Sequence, residues 1–170
     1  MALKATLDLA DRAGAQTVLA DVRALDLPLY DPDRPLDRYP STLSWLLQEA
    51  RAADAYVLCS PTYHGTLTGS VKNVLDALEF LGRDTPPYFG HKVVGLMAFG
   101  GGAHNVINSL HHAARALNGL VAPTVVAVSH AALDTETGLV CDANTSQRLQ
   151  HMIEQILDLT RRLKPTDAGR

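Results

Sequence analysis

Ser60-Pro61-Thr62-Tyr63-His64-Gly65-Thr66-Leu67-Thr68-Gly69-Ser70 gathers a proline, small hydroxyl residues, an aromatic ring, an imidazole and glycines into one short stretch. It follows an apolar run, Tyr56-Val57-Leu58-Cys59, and leads into Val71, Val74, Leu75 and Leu78, whose spacings of three and four mark the buried face of a helix. A loop between the carboxyl end of a strand and the next helix is where an open α/β sheet binds its ligand. These residue types suit a flat polar heterocycle. Pro61 stiffens the loop, and Gly65 lets backbone N–H groups come close. Thr62 brings a hydroxyl, and Tyr63 and His64 bring ring faces with polar tips.

A second loop of the same kind is Phe99-Gly100-Gly101-Gly102-Ala103-His104-Asn105. Consecutive glycines let the chain pass close beneath a bound ring, with N–H groups free to donate to carbonyl oxygens. A plain tight turn is the alternative for this run taken alone. In a parallel sheet both loops emerge at the carboxyl edge and face one crevice. His64 and His104 lie in these loops and stand equally open as ligand contacts or surface residues.

The elements that would hold these loops alternate along the chain. Leu3 to Ala13 has helical spacing and is closed by Gly14, and Thr17–Ala20 reads as a short strand. Leu25 to Pro40, with prolines at 28, 32, 35 and 40, is a loop. Ser41 is the expected N-cap of a helix from Thr42 to Ala52, and Ala55 to Cys59 reads as a parallel strand covered on both faces. After the first loop and its helix come a strand from Lys92 to Ala98, a helix to Leu117, a strand from Pro123 to Val128 and a helix from Thr145 or Ser146 carrying Leu149, Met152, Ile153 and Ile156. Alternation with short connections predicts an α/β domain over residues 1–164, a parallel sheet with helices on both faces, and a frayed tail over 165–170.

Composition excludes several classes. A net charge of −3 and a pI near 6.1 give no footprint for nucleic acid. No apolar run approaches the roughly 20 residues of a membrane span, and the start has no basic-then-apolar leader. Two cysteines, Cys59 and Cys141, form no disulfide framework; both read as small buried hydrophobes in a reducing, cytoplasmic compartment. His111 and His112 are adjacent in a helix and point to different faces, so no metal site is expected, and Trp45 and Leu46 read as core. No nucleophile-elbow or Walker pattern is present.

Ser60 to Gly65, Thr68-Gly69 and Val71-Lys72-Asn73-Val74-Leu75-Asp76 together resemble the signature of NAD(P)H-dependent FMN reductases, a family that includes azo and chromate reductases. Ala98 to His104 resembles its second flavin loop, and Leu25 to Asp31 its segment after the second strand. The resemblance implies a flavodoxin-like, three-layer α/β/α fold and hydride transfer from NADPH or NADH to bound FMN, then on to a flavin, quinone or azo acceptor. It implies that Pro61, Thr62, Tyr63, His64 and Gly65 line the ribityl chain and ring. Phe99, Gly100, Gly101 and Gly102 would hold the pyrimidine side. No acid–base residue is named, because the cofactor carries the chemistry. A homo-oligomer, dimer or tetramer, is also implied. The face of Val71, Val74, Leu75 and Leu78, extended through Phe80 and Leu81, is its expected contact, and Lys72 is expected to pair with Asp76, either across the interface or within its own helix.

Family members open with a strand and a Ser/Gly/Arg-rich phosphate loop, whereas this sequence opens on the helix that follows. The expectation is a missing first strand, with a true start upstream of Met1 favoured over a fragment or a diverged form, and two exposed edges at Thr17–Ala20 and Ala55–Cys59. A flavodoxin-type electron carrier, or a flavin-free remnant that has lost phosphate binding, is the alternative function.

Overall fold

The computed structural model describes residues 1–134 and 136–164; the expected tail, 165–170, lies outside them. Its centre is β2 (Val93–Phe99), which is buried along nearly its whole length. β1 (Ala55–Pro61) pairs with it in parallel, from Ala55 opposite Val93 to Pro61 opposite Phe99. The other side of β2 is shared by two short parallel strands. β3 (Leu120–Val121) lies beside Val93 and Val94, and β4 (Val126–Val128) beside Met97 to Phe99.

Side chains alternate across β2 and so build two cores. Val94, Leu96 and Ala98 pack with Leu43 and Leu47 of α3 (Ser41–Ala52), Leu75 of α4 (Gly69–Ala77), and Val106 and Leu110 of α5 (Ala103–Ala116). Val93 and Met97 pack with Ala10 of α1 (Ala2–Arg12) and with Leu149, Met152 and Ile153 of α6 (Ala143–Leu163). The result is the flavodoxin-like α/β/α arrangement. At Gly95 a Cβ would lie 2.5 Å from Ile156 Cδ1, so the missing side chain is what lets α6 approach the sheet.

α1 ends as expected. Gly14, at φ +88°, donates to Asp11 O, and Ala15 donates to Ala10 O, the paired bonds of a Schellman stop. At the far end of α3, Lys92 Nζ donates to Arg51 O at 2.8 Å, meeting a carbonyl that the last turn leaves unpaired. A short helix, α2 (Val22–Leu25), and a 3-10 turn, Leu36–Arg38, interrupt the long early loop.

Several expectations change. Thr17–Ala20 is not a strand: among the described residues no strand lies beside it to share hydrogen bonds, and Val18 and Leu19 are exposed. β1 is not covered as a central strand; its residues are mostly half-buried, because among the described residues β2 is the only strand paired with it. Ser41 is the first residue of α3 rather than its cap, that position falling to Pro40. α6 starts earlier than expected because Asp142 accepts from Thr145 N. The last strand begins at Val126, not Pro123, since proline has no N–H for the ladder. Trp45 is 38% exposed while Leu46 is buried, and Cys141 is exposed while Cys59 packs against the α1–α6 core. Leu81 is fully buried, and Phe80 is held edge-on between the rings of Tyr30 and Tyr39. That apolar face is therefore used inside the chain and is not free for a second copy. Lys72 pairs with Asp76 within α4.

Candidate functional site at the carboxyl rim of the sheet

The parallel register brings both glycine-bearing loops to one rim. Pro61 ends β1 directly opposite Phe99, the end of β2, and Thr62 N–H continues the ladder by donating to Phe99 O at 2.9 Å. Gly100 N–H extends the ladder on the other side, donating to Val128 O at 2.9 Å. Thr66 Oγ1 and Ser109 Oγ lie 3.3 Å apart and link the first loop to α5.

The first loop is a closed hairpin. Tyr63 and Thr66 exchange both backbone hydrogen bonds, each at 3.2 Å. Between them His64 at φ +50° and Gly65 at φ +80° form the tip. Positive φ at both central residues is the primed turn that suits a hairpin's twist. His64, Gly65 and Tyr63 stand in solvent, with Tyr63 63% exposed. The base is tied by Ser60, which is completely buried. Its hydroxyl donates to Pro61 O at 2.9 Å and accepts from Thr68 N–H at 3.0 Å. Thr68 Oγ1 in turn accepts from Val71 N–H and caps α4.

The second loop turns on Gly100 at φ +103° and Gly102 at φ +72°, conformations that favour glycine. Gly102 is the N-cap of α5, and a Cβ there would lie 3.7 Å from Thr62 Cγ2. A Cβ on Gly101 would meet nothing within 4 Å, so this peptide lies open to solvent. His104 is exposed on the first turn of α5.

Thr62 lies between the loops. Its Oγ1 is buried and has no hydrogen-bond partner among the described residues, although a buried hydroxyl is costly to leave unpaired. It lies 4.0 Å from the point that a Cβ on Gly100 would occupy. An orphaned hydroxyl beside a glycine cradle is an arrangement that a ligand's polar edge would complete.

All nine expected site residues thus fall at one rim. Ser60, Thr68 and Ser109 are not among the residues expected at the site, and His130, past the end of β4, reads from sequence as an isolated surface histidine. Ser60 and Thr68 had a signal, a small hydroxyl at each end of the loop. Ser109 had none, since its pairing depends on where α5 passes. Asn73 also holds an earlier loop, accepting from Tyr30 N–H at 2.7 Å and donating to Pro28 O at 2.9 Å. Among the described residues no group of His, Cys, Asp or Glu could hold a metal ion, and no helix is long and apolar enough to cross a membrane.

Residues 1–133 match the family described as NADPH-dependent FMN reductase. This chain belongs to that family. Within it, the chain is 35% identical over 107 residues to an NADPH azoreductase of Bacillus sp. (strain OY1-2), covering 63% of this chain and 56% of the relative. It is 32% identical over 130 residues to an FMN-dependent NADPH-azoreductase of Staphylococcus saprophyticus, covering 74% and 66%. The chain therefore spans less than two thirds of the length of these two relatives. Among solved structures, RosB with a bound 8-demethyl-8-formylriboflavin-5'-phosphate superposes with a TM-score of 0.75 at 21% identity, over 95% of this chain and 71% of that one. FerB, a flavoenzyme NAD(P)H:(acceptor) oxidoreductase from Paracoccus denitrificans, superposes with a TM-score of 0.72 at 19% identity, over 94% and 88%. Both likenesses support the flavodoxin-like fold.

Proposed function

We propose that residues 1–164 act as one NADPH-dependent flavin oxidoreductase domain that holds FMN at the carboxyl rim and reduces a small acceptor such as a flavin, a quinone or an azo compound. The observation that carries this reading is Thr62: its buried, unpartnered hydroxyl lies between two glycine loops joined through Thr62 N–H and Phe99 O. Family membership and the azoreductase names of the relatives support the same chemistry.

The residues present fit the flavin. Pro61, Thr62, Tyr63, His64 and Gly65 supply the wall on the β1 side. Phe99, Gly100, Gly101 and Gly102 supply a backbone floor on the β2 side, where N–H groups donate to the polar edge of the ring. When bound, FMN supplies the hydride acceptance and onward electron delivery. The protein's share is to hold the ring with one face open and to place fixed dipoles where negative charge develops. NADPH is the preferred donor in this reading, with NADH the competitor.

The same reading includes a cytoplasmic setting, supported by two free thiols, and assembly with a second copy. Exposed Tyr63 beside the rim and Leu29, 81% exposed, supply apolar surface for that contact.

The test is Gly101→Val in the full chain. A Cβ there meets no protein atom within 4 Å, so the substitution covers the open peptide with no clash at that atom. Wild type is expected to quench FMN fluorescence on binding and to oxidise NADPH in an FMN-dependent way. The variant is expected to lose affinity by about tenfold or more, equivalent to about 1.4 kcal/mol. Unchanged affinity in Gly101→Val overturns the placement, and a wild type that neither binds FMN nor oxidises NADPH overturns the function.

A further inference from the structure

A third strand end reaches this rim. β4 stops at Val128, opposite Phe99, and Ser129 leads into a 3-10 turn, His130–Ala132. The turn is firmly supported, because Ala132 and Leu133 are buried and Cys141 N–H donates to Ala132 O at 3.0 Å. His130 is exposed, yet its ring is not free to wander. It packs against Phe99 with centroids 4.5 Å apart and planes at 73°. Its Nε2 lies 3.7 Å from the point that a Cβ on Gly100 would occupy. Thr62 Oγ1 lies 4.0 Å from that same point. Gly100 is thus flanked by an imidazole nitrogen and by a buried hydroxyl that has no hydrogen-bond partner among the described residues.

We infer that His130 is a flavin-binding residue on the β4 side of the site, with Nε2–H donating to a carbonyl oxygen on the pyrimidine edge of the ring. This deepens the flavin reading above and rests on it. An imidazole suits the task, since one ring nitrogen of the neutral form is a donor and aromatic contact fixes its direction. The edge contact with Phe99 sets the ring, and Phe99 is itself placed by the β1–β2 register.

The experiment compares FMN titrations of the full-length wild type with His130→Ala, His130→Phe and His130→Gln, read by fluorescence quenching and by the visible absorption bands of the bound flavin. Phenylalanine keeps an aromatic contact with Phe99 and removes the donor. Glutamine restores an N–H. Ala and Phe are each expected to weaken FMN about fivefold, the weight of one net hydrogen bond of about 1 kcal/mol, and to shift the bound flavin's bands. Gln is expected to bind within about twofold of wild type. Wild-type affinity and spectrum in His130→Phe would show that the residue serves packing alone and overturn the assignment. Equal affinity in all the variants would overturn it as well. If wild type itself fails to quench FMN, the flavin reading falls first and this assignment falls with it, an outcome visible before any substitution is made.

Discussion

β1 and β2 have the same length, run in parallel and stay in register from end to end, yet only β2 is a core strand. Both are apolar runs. What separates them is company: among the described residues β2 has strands on both sides, whereas β1 pairs with β2 alone. An apolar run records which surfaces a strand can bury, not how many neighbours it has. The site straddles the difference, with a half-buried strand carrying one wall and a fully buried strand carrying the floor.

The largest test of the contrast uses register partners. Leu96 of β2 is fully buried and faces Leu58 of β1 across the ladder. Leu96→Ala is expected to lower stability by about 2–5 kcal/mol, and Leu58→Ala by about half as much. Urea denaturation of both variants decides it, and equal losses would break the distinction. A smaller effect is expected at the exit of β1, which depends on a side chain where β2's exit uses backbone alone. Ser60→Ala leaves Thr68 N–H without its acceptor and is expected to cost about 1–3 kcal/mol. It should also speed hydrogen exchange in the Thr62–Leu67 hairpin.

Cys59 sharpens the comparison from within β1. Burial pushes its thiol up to about 11. A group whose folded value is raised contributes stability that is whole below its unfolded value, near 9, and is lost as pH climbs through about 11. Wild type should therefore lose more stability than Cys59→Ala between pH 8 and pH 11, by an amount on the order of 1 kcal/mol. At neutral pH a thiol reagent should label exposed Cys141 quickly and Cys59 slowly; equal rates would mean that β1 opens freely. The smallest effect belongs to the exposed Lys72–Asp76 pair, where Lys72→Met is expected to cost only about 0.3 kcal/mol and to fade with salt.

Much of this was legible in residue order. Leu3, Leu7 and Ala10 at helical spacing, followed by Gly14, marked α1 and its stop. The proline–glycine loop after Tyr56–Cys59 and the glycine run after Phe99 marked both sides of the rim. The parts not legible depend on partners far along the chain. Thr17–Ala20 has strand composition, but β structure needs a neighbour to share its hydrogen bonds. Phe80 and Leu81 looked free because the rings that take up Phe80, Tyr30 and Tyr39, sit in a proline-rich stretch without periodicity. His130 was one histidine among seven until the sheet placed the end of β4 beside Phe99.

The far side of the sheet has a different consequence. Between β3 and β4 the backbone leaves the ladder. Thr124 N–H donates to Gln155 Oε1 at 2.9 Å, and Val125 O accepts from Arg148 at 2.7 Å, both from α6. Pro123 has no N–H to offer, so this border presents two short stubs instead of a continuous row of donors and acceptors. A foreign strand finds no continuous template along this border.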